Sequence, residues 1–244
     1  MTAYARSHQG LVRSENQDGY VVEPLPDGAW LLAVADGMGG LPGGAVASRR
    51  VLEVIRRLGG GRRHGAAELE QAVKAANREL FREARQRPNL KGMGTTVTVA
   101  QVAGTELIVA HVGDSRAYRL RGGRLERLTQ DHSVAGELEA AGEISRDEAA
   151  VHPQRHVLTR AVGPWHTVRV DLLVVPWHRA DRLLLCTDGL TGSVPEAEIL
   201  GILERTRGEA AVDALVAAAL ARGGPDNVTV VLAEDDGEAG GHGR

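Results

Sequence analysis

The sequence predicts an α+β sandwich, with antiparallel sheets in the middle and helices packed outside. Three observations carry that expectation. Short apolar or alternating runs of strand length open the chain. Two longer stretches of helical periodicity follow them. The same order, more strands and then a second helix pair, returns in the second half before a last strand closes the chain.

The first strands are expected at 3–7, 19–22 and 29–35, the last being Trp-Leu-Leu-Ala-Val-Ala, which reads as buried and ends on Asp36. Helices are expected over 45–58, with Val46, Val51, Val54, Ile55 and Leu58 on one face, and over 66–85, with Leu69, Val73, Leu80 and Phe81. Gly59, Gly60 and Gly61 break the two apart. Period-two runs at 96–102, 106–112, 115–120 and 124–128, separated by Gly104 and Gly122-Gly123, read as an antiparallel meander. The polar stretch 129–164 holds a helix at 133–141 and a turn at 146–149, and is long enough for a functional loop region. Strands resume at 167–175 and 181–186. Helices are then expected over 196–206, begun by Pro195, and over 209–221, stopped by Gly223-Gly224-Pro225. The final strand is 228–232, and the acidic, glycine-rich residues 234–244 read as a disordered tail, leaving 1–233 as one domain.

Composition narrows the function classes. The 244 residues suffice for one large core, and 29 basic against 32 acidic side chains leave a formal charge of −3, which points to neither nucleic acid nor a membrane surface. Cys186 is the only cysteine, so no internal disulfide can form, in keeping with a reducing cytoplasm. No apolar run approaches the roughly 18 residues of a membrane span, and the first ten residues lack a signal-peptide core. A soluble intracellular protein is expected, a monomer by default.

Three aspartates share one context. Asp36 ends a strand before Gly37, Asp188 ends a strand before Gly189, and Asp226 precedes Asn227 and a strand. Carboxylates projected from a rigid frame, with glycines that let the backbone come close and no His or Cys beside them, suit hard ions such as Mg²⁺ or Mn²⁺. Asp-Gly is also an ordinary turn dipeptide, so each pair alone has a bland reading.

Eight segments then occur in order: Arg13-Ser14-Glu15-Asn16-Gln17-Asp18, Ala35-Asp36-Gly37-Met38-Gly39-Gly40, Gly94-Thr95-Thr96, Val112-Gly113-Asp114-Ser115-Arg116, Leu128-Thr129-Gln130-Asp131-His132-Ser133, Leu158-Thr159-Arg160-Ala161-Val162-Gly163, Cys186-Thr187-Asp188-Gly189-Leu190 and Gly224-Pro225-Asp226-Asn227-Val228-Thr229. Together they resemble the bacterial branch of the metal-dependent Ser/Thr protein phosphatases, the protein phosphatase 2C type. The resemblance spans about residues 2–233. It implies a four-layer α-β-β-α sandwich of two central antiparallel sheets flanked by helix pairs. It also implies hydrolysis of phosphoserine and phosphothreonine by a metal-activated water, opposing bacterial Ser/Thr kinase signalling. The implied cofactors are two Mn²⁺ or Mg²⁺ ions, with a weaker third. Asp36 would bridge the pair, the Gly37 carbonyl would complete one site, and Asp188 and Asp226 would hold the other. Asp18 would orient a metal-coordinated water from behind, Arg13 would grip the substrate phosphate, and Asp114 would help hold the third ion beside Asp188. The partners implied are phosphorylated proteins, a Ser/Thr kinase among them, with no nucleic acid and no membrane.

The sequence departs from the family pattern in places. Gln17 stands where some members have glutamate and Met38 where some have histidine. Leu41, Ala45 and Gly192 stand where relatives carry other polar residues. The proton donor for the leaving alkoxide is thereby unassigned, with His132 and His156 as candidates to test. Residues 137–157 correspond to the family's flap beside the active site. A catalytically weak phosphoprotein-binding or sensing module of the same fold is the alternative reading, and hydrolysis of small phosphate esters a third. The glycines at 39–44 lack the Gly-Lys-Ser/Thr of a nucleotide loop, and Arg49, Arg50, Arg56 and Arg57 read as a solvated helix face.

Overall fold

The computed structural model describes residues 1–38, 43–59 and 61–234. Gly39 and Gly40 of the second motif, Leu41 and Pro42 after it, Gly60 of the glycine break, and the tail from 235 onward lie outside the described residues. In chain order the elements are β1 (Thr2–His8), β2 (Asp18–Pro24), β3 (Trp30–Met38), α1 (Gly43–Gly59), α2 (Ala66–Gln86), β4 (Gly94–Thr95), β5 (Val97–Ala103), β6 (Glu106–Val112), β7 (Arg116–Arg121), β8 (Arg124–Arg127), α3 (Val134–Ala140), α4 (Arg146–Val151), β9 (Asp171–Pro176), β10 (Arg182–Cys186), α5 (Asp188–Thr191), α6 (Glu196–Arg205), α7 (Gly208–Ala221) and β11 (Val228–Glu234).

Two sheets result, one ordered β1-β11-β10-β7-β8 and the other β2-β3-β5-β6-β9 with β4 beside β3. All strand pairs are antiparallel. The alternation of side chains along each strand explains the layering. On β3, Leu31, Ala33 and Ala35 enter the core under α1 and α2, whereas Leu32 and Val34 face the other sheet. On β10, Leu184 and Cys186 pack under α6 and α7, and Leu183 and Leu185 face inward between the sheets. β3 and β10 are thus covered on both faces and read as apolar runs. Fully burying each such leucine is worth about 1.5–3 kcal/mol. Three apolar clusters separate four layers, the α-β-β-α sandwich the motif series implies.

The structure corrects several boundaries. The expected meander is divided: β5 and β6 pair in one sheet, β7 and β8 in the other, and the chain crosses between sheets at Gly113-Asp114-Ser115. Alternation within each strand is indifferent to which sheet takes it, so periodicity alone did not locate the crossing. Asp36 does not end its strand, because β3 continues through Gly37 and Met38 to pair with Thr95 and Gly94. Strand β9 starts only at Asp171. Asp188 opens the short helix α5, which its four-residue length hides from periodicity. Glu234 belongs to the domain rather than to the tail. It is buried at the end of β11 and ion-paired with Arg182 at 2.5 Å.

Candidate metal centre

The inward face between the sheets changes character at one end. Following the alternation from Leu32 and Val34 places Asp36 on the same inward face, and Asp18 lies directly opposite it in the β2–β3 register. Thr187 continues the inward series of Leu183 and Leu185 on β10, and Thr229 precedes Val231 and Ala233 on β11. The apolar seam becomes a hydrogen-bonded polar one. The Thr187 hydroxyl donates to Asp18 Oδ2 across the two sheets at 2.8 Å and accepts from the Thr229 backbone N–H at 3.0 Å. Thr96 Oγ1 and Ser115 Oγ are 2.7 Å apart in the same seam, and Thr96 Oγ1 accepts the Asp36 N–H at 2.9 Å.

Glycines let the backbone close around this end. A Cβ on Gly37 would lie 2.2 Å from the Gly44 carbonyl oxygen, and one on Gly189 would lie 1.9 Å from that of Asn227. Asn227 acts as a clasp: its Oδ1 accepts from the Gln17 N–H at 2.8 Å, while its Nδ2 donates to the Gln9 and Glu15 carbonyls at 2.7 and 2.9 Å. It thereby ties the Arg13 segment to the Asp226 turn.

A cavity of about 730 Å³ opens here, its wall including Arg13, Asp36, Gly37, Asp114, Asp188 and Asp226. Five of the expected residues and the Gly37 backbone therefore meet at one place. Asp18 lies behind this wall rather than in it, against Thr187. Arg13 Nη2 donates to Asp226 Oδ2 at 2.7 Å. His156 lines the cavity with Nδ1 3.3 Å from Asp188 Oδ2, but His132 is fully buried, its ring engaged by Gly113 and Asp171. Of the two histidine candidates only His156 faces the site. A neighbouring cavity of about 350 Å³ shares Asp114, His156 and Asp188 and runs under α3 and α4, within the stretch expected to form a flap.

The electrostatics favour bound cations. Burial, then the charges of Asp18, Asp188, Asp114 and Asp226, raise the Asp36 carboxyl well above its ordinary range. Burial, with Asp188 and Asp131 next, does the same to Asp114. Asp18 is pushed up to about 7, chiefly by burial and against the hydrogen bond from Thr187. Such crowding is what a divalent cation offsets. Among the described residues no three His, Cys, Asp or Glu side chains are already drawn together as a ligand cluster. The carboxylates ring the cavity instead, one of them held by Arg13. Two oxygens nonetheless await a partner: Asp18 Oδ1 and Asp188 Oδ1 are buried without a hydrogen bond. An all-oxygen donor set with unpaired buried carboxylate oxygens fits Mg²⁺ or Mn²⁺.

Thr187, Thr229, Thr96 and Asn227 stand inside the quoted segments, but sequence reasoning gave none of them a role. Carrying each strand's two-residue alternation past its apolar residues would have placed the threonines on the inward face; no such signal marks Asn227, whose role rests on a long-range clasp.

The chain matches the family model described as protein phosphatase 2C over residues 6–233. It is 40% identical over 247 residues to the serine/threonine phosphatase Stp of Listeria monocytogenes serovar 1/2a, covering 97% of this chain and 96% of that protein. Its fold is similar to the crystal structure of the Mycobacterium tuberculosis serine/threonine phosphatase PstP, with a TM-score of 0.88 and 39% identity over 96% of this chain and 97% of the other. It is also similar to the catalytic domain of PstP in complex with two manganese ions, with a TM-score of 0.86 and 38% identity over 96% and 97% of the two chains. Matching nearly throughout in sequence and layer order, the chain belongs to the protein phosphatase 2C family.

Proposed function

We propose that this protein is a metal-dependent protein serine/threonine phosphatase, whose catalytic domain runs to Glu234. The observation that carries the reading is the convergence of Asp36, Asp114, Asp188, Asp226 and Arg13 on one cavity at the polar end of the inter-sheet seam. Asp36, Asp188, Asp226 and the Gly37 carbonyl would hold two Mn²⁺ or Mg²⁺ ions, and Asp114 with Asp188 a weaker third. Bound there, the ions supply Lewis-acid polarisation of phosphate and a lowered pKa for water.

The chain's own groups do the rest. Arg13 reaches the cavity from an exposed loop, where its planar guanidinium can pair two phosphate oxygens and offset the charge that grows on them. Asp18, steadied by Thr187, orients what stands in front of it. Residues of α3 and α4 form one side of the adjoining cavity and give the substrate's flanking residues a surface to meet. Phosphorylated proteins are the partners this reading implies, and the Stp and PstP likeness supports them; a Ser/Thr kinase among them is part of the same proposal. No helix among the described residues is long and apolar enough to cross a membrane. The buried, unpaired Cys186 accords with the reducing cytoplasm as the site of action.

The test is phosphate release from a phosphothreonine peptide by the purified protein with Mn²⁺, with Mg²⁺, and with chelator. Release that requires the ion is the expected result. Peptide binding without release at any divalent ion would instead favour the binding-module reading.

A further inference from the structure

One fully buried side chain beside the site is engaged on every polar atom, yet none of the roles above uses it. His132 stands at the root of the segment 133–158, whose two ends meet in the isolated bridge between Ser133 and Leu158. Its backbone N–H donates to the Gly113 carbonyl at 2.8 Å, and its carbonyl accepts from the Thr159 N–H at 2.9 Å. Its ring Nδ1 accepts the Gly113 N–H at 3.0 Å, and Nε2 lies 3.1 Å from Asp171 Oδ2. Asp171 Oδ1 in turn accepts from Arg160 Nη1 at 2.6 Å.

Both polar groups of Gly113 therefore end on this one residue. Gly113 has φ +114°, and a Cβ there would lie 2.5 Å from Thr96 Cβ, so only glycine fits this turn, and a residue with that much backbone freedom is held in place by its hydrogen-bond partners. Asp114 is the next residue and projects into both cavities. A backbone N–H can bond to Nδ1 only if that nitrogen carries no proton, so the ring is the neutral Nε2–H tautomer, donating to Asp171. Burial, followed by the nearby Arg160 charge, lowers the pKa of His132 and keeps the ring neutral.

We propose that His132 is a positioning residue: its ring Nδ1 sets the Gly113–Asp114 turn, and hence the Asp114 carboxylate, relative to the stem of the flap at Thr159 and Arg160. The inference rests on the reading of Asp114 as a ligand of the weaker ion. It makes the flap stem and that ligand one mechanical unit, so that a disturbance at Arg160 or Asp171 reaches Asp114 through an imidazole that touches neither substrate nor metal.

The test uses the full chain and three variants, with Mn²⁺ binding followed by calorimetry and by the electron paramagnetic resonance of the bound ion. Asp114→Asn gives the reference loss. His132→Gln moves its amide out toward Asp171 and leaves Gly113 without an acceptor, and should weaken the weaker Mn²⁺ site about tenfold or more, the range seen when groups supporting a metal ligand are removed. His132→Asn keeps an acceptor near the place of Nδ1 and should restore that affinity to within about twofold of wild type, well short of such a loss. Unchanged binding in His132→Gln, or an equal loss in both His132 variants, overturns the inference. Wild-type binding in Asp114→Asn overturns the reading of Asp114 and the inference with it, whereas an altered Asp114→Asn beside an unaltered His132→Gln overturns the inference alone. Should the variants not fold, the wild-type protein still decides: a ¹⁵N–¹⁵N coupling between the Gly113 amide and His132 Nδ1 is expected, and an imidazole protonated at Nδ1 refutes it.

Discussion

With its metals chelated, the protein should lose stability as pH rises from 5 to 8, and Asp18→Asn should remove much of that loss. In the unfolded chain Asp18 ionises near its ordinary value of 3.8, but in the fold it does so at about 7. Below the lower value both states hold the proton, and folding is indifferent to pH on this account. Between the two values only the unfolded state releases it, so each pH unit favours unfolding; above about 7 both states are ionised and the loss is complete. At about 1.4 kcal/mol per unit, the two units between pH 5 and about 7 amount to roughly 3 kcal/mol for Asp18 alone. For a domain of this size that is a fall in Tm of roughly 6–12 °C. Asn at this position can still accept from Thr187 but cannot ionise, so the difference between variant and wild type should widen with pH. Thermal melts in chelator at half-unit pH steps read it directly, and Mn²⁺ should flatten the wild-type slope. A wild-type melting temperature that is level from pH 5 to 8 in chelator, or an Asp18→Asn slope as steep as that of wild type, would show that Asp18 is not held in a buried, charge-crowded place.

Arg13→Ala should lower kcat/KM for phosphopeptide and for p-nitrophenyl phosphate alike, by about 10²–10³-fold, as for loss of a preorganised donor to a developing anion; loss confined to the peptide would place Arg13 on the protein rather than the phosphate. Glu234→Ala should cost about 3–5 kcal/mol in urea melts by leaving Arg182, with only 3% of its side chain exposed, without its ion pair. A cost under about 1 kcal/mol, the value of a surface pair, would mean that water reaches that end of the sandwich. Gly189→Ala should both destabilise the chain and weaken Mn²⁺ binding, since a Cβ 1.9 Å from the Asn227 carbonyl must push the Asp188 and Asp226 turns apart; a variant that melts and binds as wild type would contradict that close approach.

Much of this molecule was legible in its sequence, for physical reasons that also explain the gaps. Helices α1 and α2 announce themselves through periodicity over several turns, and α6 and α7 through Pro195 at the start of one and Gly223-Gly224-Pro225 after the other, whereas α5 is too short to have a period. The strands were visible as apolar runs, but partition between sheets depends on long-range pairing, so the crossing at Gly113-Asp114 was not. Asp36, Asp188 and Asp226 were found because glycine beside each of the first two, and ordered motifs around all three, mark backbone that must come close. Thr187 was hidden because threonine in a strand is unremarkable until its hydroxyl is seen 2.8 Å from Asp18. Glu234 was assigned to the tail from the acidic composition after it, and only its contact with Arg182, 52 positions earlier in the numbering, reveals it as part of the core.

The most direct test of the metal-centre account is phosphate release from a phosphothreonine peptide by Asp36→Asn, measured beside wild type as Mn²⁺ is raised to saturation. Asp36 occupies the middle of the carboxylate ring, opposite Asp18 in the strand register. The account predicts a folded variant that melts at or above the temperature of chelated wild type, because a repelled charge has been removed, yet releases no phosphate at any Mn²⁺ concentration. Turnover close to that of wild type at saturating Mn²⁺ would contradict it, and would require a catalytic centre built without the carboxylate on which every other part of the site converges.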